Sequence, residues 1–499
     1  MIKVRKRKPD PEVIASRAID WDYFRAPHPE DVTPMPFQYA GAEYAIQRDH
    51  CLIGDPPGLG KSCQSLLVDN VIKPKRTLIL CPASLRLNWQ REVYMWSDRE
   101  QLSTYPVLKS ADGVSNKATH VILSYALLAS RPIFDAIMDL NWDHVILDEC
   151  QALKDPKGNT RTKGITGFME HGDYIPGLIN NTGRFSLLSG TPMPNQPVEA
   201  YNAIRLCDWD TIDEMSLEGF RNYYYAKGSG MVRGMVERTD KFGNAVMRSE
   251  LHHSNDVRNQ PRRMPELQER LRKHIMVRRS KKKVLPQLPP VRWHPFPLEM
   301  SAEIRKALKH PGFKEAEHLH DMDPEAFDGG IPIDGQISTA RRELGEAKAP
   351  QVAKYIEELL EEGIAKIVVS AWHTDVLDYL RERLKKHGLV FMTGKTSSNK
   401  KQMAVDAFQG DDRISIILGQ KTVLGLGWTL TESQDVVDAE PDWVPGVNDQ
   451  LLDRINRIGQ TGAYTIGHLA IAPGTLDERI INNAIKKSQV LHDALDKEH

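Results

Sequence analysis

The residues with the clearest chemistry are Asp55-Pro56-Pro57-Gly58-Leu59-Gly60-Lys61-Ser62. The short apolar run Cys51-Leu52-Ile53 precedes them, and Cys63-Gln64-Ser65-Leu66-Leu67-Val68 follows with helical spacing. That order predicts a strand, a glycine loop and a helix. Glycines let backbone N–H groups curl around phosphate oxygens, and the new helix turns its positive end toward them. Lys61 can then reach the β- and γ-phosphates of ATP, and Ser62 can ligate Mg²⁺. Pro57, Gly58, Leu59 and Gly60 form the same cradle. A phosphate loop usually opens on Gly, and here that position is Asp55, so the segment alone also fits an ordinary tight turn.

Further along, the apolar run Val145-Ile146-Leu147 leads into Asp148-Glu149. A strand ending this way sets two carboxylates at the carboxyl edge of a sheet, where α/β ligands sit. Asp148 suits Mg²⁺, held mostly through water. Glu149 suits the water that attacks the γ-phosphate. Alone, such a pair is also a solvated cap; beside a phosphate loop in the same lobe it reads as a catalytic pair.

These residues need elements to hold them. From Pro34 to Leu206, apolar runs at 52–53, 77–80, 121–123, 145–147 and 185–188 alternate with helical stretches. That alternation predicts a parallel sheet with helices on both faces. Residues 208–350 break it with charge, Met, Tyr and Arg; they read as insertions and a linker, with helices over Met264–Ile275, Ala302–Lys309 and Ala340–Gly345. The stretch Gly228–Asn255 reads as a loop or a hairpin. From Pro350 the alternation returns, with a helix over Gln351–Glu362 and strands at 367–369, 390–391, 414–418, 436–437 and 465–471. The expected organisation is a basic arm (1–33), a first α/β lobe that binds ATP (34–207), a helical insertion and linker (208–349), a second α/β lobe (350–475) and a closing helix (476–499).

The bulk composition narrows the function classes. The 499 residues allow two to four domains, and 66 basic against 67 acidic residues leave no global footprint for nucleic acid. Any such surface is local. The stretch Arg262–Lys283, with ten Lys/Arg and two Glu, reads as a phosphate-tracking surface or a solvated face. Lys3–Lys8 reads as a phosphate contact, a nuclear address or a disordered start. The five scattered cysteines have no metal spacing and fit a reducing compartment. No run is long and apolar enough to span a membrane, so no membrane partner is expected.

Taken in order from Pro36 to about Arg479, the motifs resemble those of helicase superfamily two, in its Swi/Snf-type branch of DNA-dependent ATPases. Pro36-Phe37-Gln38 is similar to the segment whose Gln reads adenine. Asp55–Ser62 resembles the branch's own phosphate loop, which also opens on Asp. Leu80-Cys81-Pro82-Ala83-Ser84-Leu85 with Trp89 resembles the segment gripping a DNA strand, which implies DNA contacts at Pro82, Ala83 and Ser84. Ser189-Gly190-Thr191-Pro192 resembles the motif coupling the nucleotide site to DNA, and implies a role for Thr191. Lys421-Thr422 and Gly425-Leu426-Gly427 with Thr429 resemble the second lobe's DNA- and nucleotide-contacting loop. Arg278-Arg279-Ser280-Lys281 with Val284–Pro289 is similar to a stretch peculiar to the branch. Gln450–Gln460 resembles the motif that supplies arginine fingers, here Arg454 and Arg457; by spacing alone those residues also suit surface ion pairs. Trp372 reads as a ring near DNA or as a packed aromatic, and the neighbouring His373 receives no role.

The resemblance implies two RecA-like lobes and an ATPase that closes them over ATP and Mg²⁺. An arginine finger contributes roughly 10³–10⁵ in rate. The expected partner is double-stranded or branched DNA, with a monomeric protein and replication or repair proteins beside it. Ser189–Pro192 with Pro197-Val198-Glu199, and Val436–Trp443 with Pro445-Gly446, look closest to the annealing-helicase, fork-remodelling subgroup. The expected location is on DNA in a bacterial or viral host cell, or the nucleus in a eukaryote. Two departures stand out: Cys150-Gln151 where the branch has Ala-His, and Asn456 where His is common. The subgroup's accessory modules have no evident counterpart. Rival readings are a strand-separating DNA or RNA helicase, a remodeller of protein–DNA complexes, and a non-catalytic DNA-binding recruitment protein.

Overall fold

The structure is a computed structural model that describes residues 11–20, 24–194, 196–239, 245–313, 335–442, 445–475, 477–478, 481 and 495, with backbone alone at 227–260, 335 and 445–446. The basic run Lys3–Lys8, Trp443 and most of the expected closing helix lie outside the described residues.

The first sheet gathers β1 (His50–Ile53), β2 (Thr77–Cys81), β3 (Thr104–Pro106), β4 (His120–Ser124) and β5 (His144–Asp148). A small hairpin of β6 (Phe168–Glu170) and β7 (Asp173–Ile175) intervenes before β8 (Phe185–Leu188). A long antiparallel ribbon, β9 (Tyr225–Thr239) with β10 (Ala245–Pro261), stands apart from the sheet, so the stretch left open between loop and hairpin is a hairpin. The last strand of the sheet is β11 (Met276–Val277). The order is β11-β1-β8-β5-β2-β4-β3, and every pairing is parallel.

A parallel sheet covered on both faces needs strands that are apolar on both sides. β5 shows why these runs qualify: Val145 and Leu147 enter one core cluster with Leu78, Leu80 and Phe185, while Ile146 enters the other with Ile79, Leu66 and Trp89. Each such buried side chain contributes about 1.5–3 kcal/mol. The helix Lys61–Ile72 is also anchored by polar contacts at its far end. Asp69, buried there, accepts from Thr77 Oγ1 at 2.8 Å and His120 Nε2 at 2.9 Å, and it contacts His144, whose Nε2 lies 2.8 Å from Ser186 Oγ. One carboxylate thus pins the helix to the amino ends of β2, β4 and β5. Burial would raise the Asp69 carboxyl, but the two histidines hold it well below the usual range.

The second sheet contains β12 (Val291–Pro297), β13 (Ile367–Ala371), β14 (Leu389–Met392), β15 (Ile416–Gln420), β16 (Asp435–Asp438) and β17 (Thr465–Ile471). Its order is β12-β17-β16-β13-β15-β14, again parallel throughout. Two core clusters cover its faces, one with Val369, Leu377 and Leu418, the other with Val368, Ile417 and Leu451.

Both sheets draw a strand from 208–349, namely β11 and β12. The helices expected on either side of Pro350 are one helix, Gly335–Glu361, with Pro350 inside it. Proline removes one hydrogen bond and crowds the preceding turn. Here Ile337, Ala340 and Leu344 before it, and Val352, Ala353 and Ile356 after it, enter the same core cluster. Apolar burial on both sides outweighs the local defect.

Candidate nucleotide site between the lobes

The phosphate loop leaves β1 at the carboxyl edge of the first sheet. Gly58 and Gly60 both have positive φ, at 86° and 69°, and both face crowded neighbours. A Cβ on Gly60 would lie 2.2 Å from Gln38 Nε2, and one on Gly58 would lie 2.5 Å from Arg457 Cβ. Only glycine permits both the conformation and the approach. Lys61 opens the helix, and its ammonium donates to the Asp55 carbonyl at 3.0 Å. Burial pulls the Lys61 ammonium down, with Glu149, Asp55 and Asp148 opposing.

Asp55 explains the unusual start of the loop. It is fully buried and faces away from the cavity, toward β11. Arg279 donates to it from the backbone N–H at 2.9 Å and from Nε at 3.1 Å, and pairs with it through Nη2. Gln64 Nε2 adds a bond at 2.9 Å. Burial would raise this carboxyl, but the guanidinium and amide hold it below its ordinary value. Asp55 is a fastener for the loop, with Arg279 as its partner.

Across the cleft stands the helix Pro445–Ile455, with Arg454 in its last turn and Arg457 just beyond it. Gln38, Pro57, Gly58, Gly60, Lys61, Ser62, Asp148, Glu149, Gly427, Arg454 and Arg457 line one cavity of about 250 Å³. Both lobes therefore build it. Arg457 Nη1 donates to the Trp428 carbonyl at 2.7 Å, and burial and Arg454 lower its guanidinium to about 10, against the pull of Glu92 and Asp453. Among the described residues, Arg454 Nη2 is buried with no hydrogen-bond partner. A buried guanidinium nitrogen left open costs energy unless an anion meets it.

Asp148 ends β5, and Glu149 follows in the left-handed region at φ 51°. Strain of this kind on a non-glycine residue gathers at functional positions. Asp148 accepts from Trp89 Nε1 at 2.8 Å and from the Glu149 N–H at 3.0 Å. Burial, with Glu149 alongside, pushes Asp148 up to about 7. Gln151 donates to Glu149 Oε2 at 2.6 Å and accepts from Ser189 Oγ at 2.7 Å. Ser189 Oγ in turn accepts from the Thr191 N–H at 3.1 Å, and Thr191 Oγ1 accepts from Gln450 Nε2 of the second lobe at 3.4 Å. A hydrogen-bonded chain thus runs from Glu149 to the arginine-bearing helix. Gln151 can serve here because an amide both donates and accepts.

Other expected positions fall differently. Leu59 turns its side chain away from the cavity into a small cluster with Phe37 and Leu285; only its backbone belongs to the loop. Lys421 is fully buried, with Nζ bonded to Asp438 Oδ2 at 2.6 Å, the Glu440 carbonyl at 2.6 Å and Asn448 Oδ1 at 3.2 Å. Its charge is neutralised inside the lobe, so it offers nothing to a DNA phosphate in this arrangement. Arg262–Lys283 is not a continuous basic surface: Arg272, Arg278 and Arg279 are buried, and Arg270 pairs with Asp213 and Glu266. Ala83 and Thr422 are exposed, Pro82, Thr191 and Trp372 are half-buried, and Ser84 is buried with an Oγ that has no partner among the described residues. Asn456 is structural, donating to the Pro289 carbonyl at 3.0 Å and Thr465 Oγ1 at 3.2 Å. His373 Nδ1 lies 2.6 Å from Glu440 Oε1, within the second lobe.

One wall of the cavity includes Trp89, which the sequence places in a DNA-gripping segment, and three residues to which the sequence assigns no role. The helix Arg86–Trp96 contributes Asn88, Trp89, Glu92 and Trp96 to it. Their near-helical spacing, a few residues after β2, is the signal the sequence offers.

The SNF2-related domain matches residues 37–327, and the helicase conserved C-terminal domain matches 351–459. The chain belongs to the SNF2-related family. Among curated relatives, it is 28% identical over 471 residues to the DNA annealing helicase and endonuclease ZRANB3 of Bos taurus, covering 91% of this chain and 40% of that protein. It is 28% identical over 467 residues to the SWI/SNF-related matrix-associated actin-dependent regulator of chromatin subfamily A-like protein 1 of Xenopus tropicalis, covering 92% and 45%. The chain thus spans less than half the length of these SNF2-related relatives. Among solved structures, the Sulfolobus solfataricus SWI2/SNF2 ATPase core in complex with dsDNA matches with a TM-score of 0.41 and 19% identity, over 95% of this chain and all of that one. The SNF2-related lobe holds the phosphate loop and the Asp148-Glu149 pair, and the helicase C-terminal lobe holds both arginines.

Proposed function

We propose that this protein is an ATP-driven translocase on duplex DNA, acting in branch migration, strand annealing or fork remodelling. The observation that carries the reading is one cavity to which one lobe gives Lys61, Asp148 and Glu149 and the other gives Arg454 and Arg457. The first lobe alone can bind a nucleotide but lacks the arginines that add to Lys61 in stabilising charge on the transferring phosphoryl group. Arg454, with a buried open nitrogen, supports an anion at that point.

Mg²⁺ fits the donors present. Ser62 and Asp148 are hard oxygen ligands on the cavity wall, few enough to leave the ion mostly hydrated. Burial, with Glu149 alongside, raises the Asp148 carboxyl, and a cation bound there would act in the opposite direction. A bound Mg²⁺ would supply charge neutralisation at the phosphates. Glu149 would orient the attacking water and take its proton, held in place by Gln151. Closure of the lobes brings the arginines home, and hydrolysis releases them, so each cycle changes the spacing of two DNA grips. Candidates for those grips are Pro82, Ala83, Ser84 and Thr191 in the first lobe and Trp372 and Thr422 in the second.

ZRANB3 is named an annealing helicase, and the likeness to it supports the finer assignment. The test is an ATPase panel with single-stranded, duplex, forked and four-way DNA. Duplex or branched DNA is expected to raise turnover, with the stimulation falling steeply as salt rises. An unchanged rate at saturating duplex DNA would sink translocation. Unwinding of tailed duplexes without annealing would favour a strand-separating helicase.

A further inference from the structure

The segment Arg278–Pro289 stands out in the sequence, yet none of it lines the nucleotide cavity. It is a strap between the lobes. Its start is fastened to the first lobe: Arg278 Nη1 donates to the Gly54 and Gly190 carbonyls, and Arg279 clasps Asp55. Its middle is fastened by apolar packing, with Leu285 buried against Phe37 and Leu59, and Val284 and Leu288 alongside. Leu59 sits between Gly58 and Gly60 and Phe37 precedes Gln38, so the strap packs behind the immediate chain neighbours of residues that line the cavity. Its end meets the second lobe where Asn456 Nδ2 reaches the Pro289 carbonyl.

Lys281 crosses between the lobes. Its Nζ lies 2.5 Å from Asp453 Oδ1 and 2.8 Å from the Asn456 carbonyl oxygen. That carbonyl directly follows the helix Pro445–Ile455, at the negative end of its dipole, where a cation is favourable. Asp453 lies one turn after Asp449 on the same helix, and like charges at that spacing repel. Lys281 supplies Asp453 with its cation and caps the helix end that carries Arg454 and leads to Arg457.

We propose that Lys281 is a positioning residue for the two arginines. Anchored through the strap to the back of the phosphate loop, it sets where the end of the arginine-bearing helix meets Gly58. The tolerance is narrow, because a Cβ on Gly58 would lie only 2.5 Å from Arg457 Cβ. The kinetic part of this proposal rests on the ATPase reading above; the structural part does not.

The test uses the full chain with Lys281→Met, Lys281→Arg, Asp453→Asn and the Lys281→Met/Asp453→Asn double variant. Misplacement of a catalytic group by about 1 Å costs on the order of a hundredfold, so kcat of Lys281→Met is expected to fall to that degree while affinity for a non-hydrolysable ATP analogue holds. Lys281→Arg retains most turnover. The double variant is no slower than Lys281→Met, because one interaction is lost once. Wild-type turnover in Lys281→Met, losses that multiply in the double variant, or loss of analogue binding would each overturn the proposal. Spin labels on Lys117→Cys and Lys400→Cys, exposed positions in the two lobes, give a readout free of hydrolysis. Without nucleotide, Lys281→Met is expected to broaden and lengthen the distance between them, and an unchanged distribution refutes the latch whatever the ATPase does. A parent protein that does not turn over ATP, with a distribution that still shifts, removes the ATPase reading and leaves the latch standing. Should Lys281→Met not fold, Asp453→Asn carries the same measurements with the same expected direction.

Discussion

Each lobe has a lysine that opens a helix after a parallel strand at its sheet's carboxyl edge: Lys61 after β1, Lys421 after β15. Lys61 faces the cavity, with a backbone carbonyl as its hydrogen-bond partner. Lys421 is sealed in by Asp438 and Asn448. The difference lies in what separates strand from helix. In the first lobe, Asp55–Gly60 intervenes, with two glycines in the left-handed region, and holds open a hollow. In the second lobe the helix begins immediately after β15, and the Asp438 carboxylate of β16 pairs with the lysine's ammonium. On the proposed reading, two lobes of the same architecture divide the labour: one binds nucleotide, and the other brings arginines to it.

The comparison can be broken most sharply at the cavity. Arg457→Ala is expected to lower kcat by roughly 10³–10⁵ while sparing ATP binding. Lys61→Ala should lower turnover by at least the same order, with nucleotide binding weakened as well. Steady-state turnover and equilibrium nucleotide titration check both, and normal turnover in Arg457→Ala would exclude the two-lobe site. The matching change in the second lobe should act on stability instead. Lys421→Ala leaves Asp438 buried without its cation, which costs about 3–5 kcal/mol. Urea unfolding measures it; a variant of wild-type stability with altered DNA affinity would restore Lys421 to the DNA surface.

Smaller effects sharpen the picture. Gln151→Ala cuts the chain from Glu149 to Ser189 and is expected to lower kcat by on the order of tenfold. Gln151→His should keep most of the rate, since an imidazole also joins a donor to an acceptor. The slightest signal is a pH slope. Asp55 is held below its ordinary value near about 4, so its contribution to stability is present above that pH and fades as pH falls through the lower folded value. Unfolding curves of Asp55→Asn between neutral and acid pH should lack that component, and a slope identical to wild type would contradict the Asp55–Arg279 pairing.

Much of this was legible in the sequence. Apolar runs such as 145–147 and 185–188 mark strands buried on both faces, because such strands need little more than local pattern. The glycine loop, the Asp-Glu pair and the two arginines are short motifs whose chemistry is carried within a few residues. Their order along the chain, matched to the motifs of the Swi/Snf-type branch, implies a shared nucleotide pocket, although the spacing of Arg454 and Arg457 alone leaves surface ion pairs open.

Contacts between distant residues had to wait for the fold. Asp438 lies seventeen positions from Lys421, and Asp55 is separated from Arg279 by 224, so neither pairing shows in a local pattern. The same holds for the charge of Arg262–Lys283, which reads as a surface until Arg272, Arg278 and Arg279 are found buried. Residue types and spacing determined which groups can handle a phosphate. Whether a charged side chain meets that phosphate or is neutralised inside the protein depends on which elements pack beside it, and packing between elements is settled by tertiary burial and electrostatics.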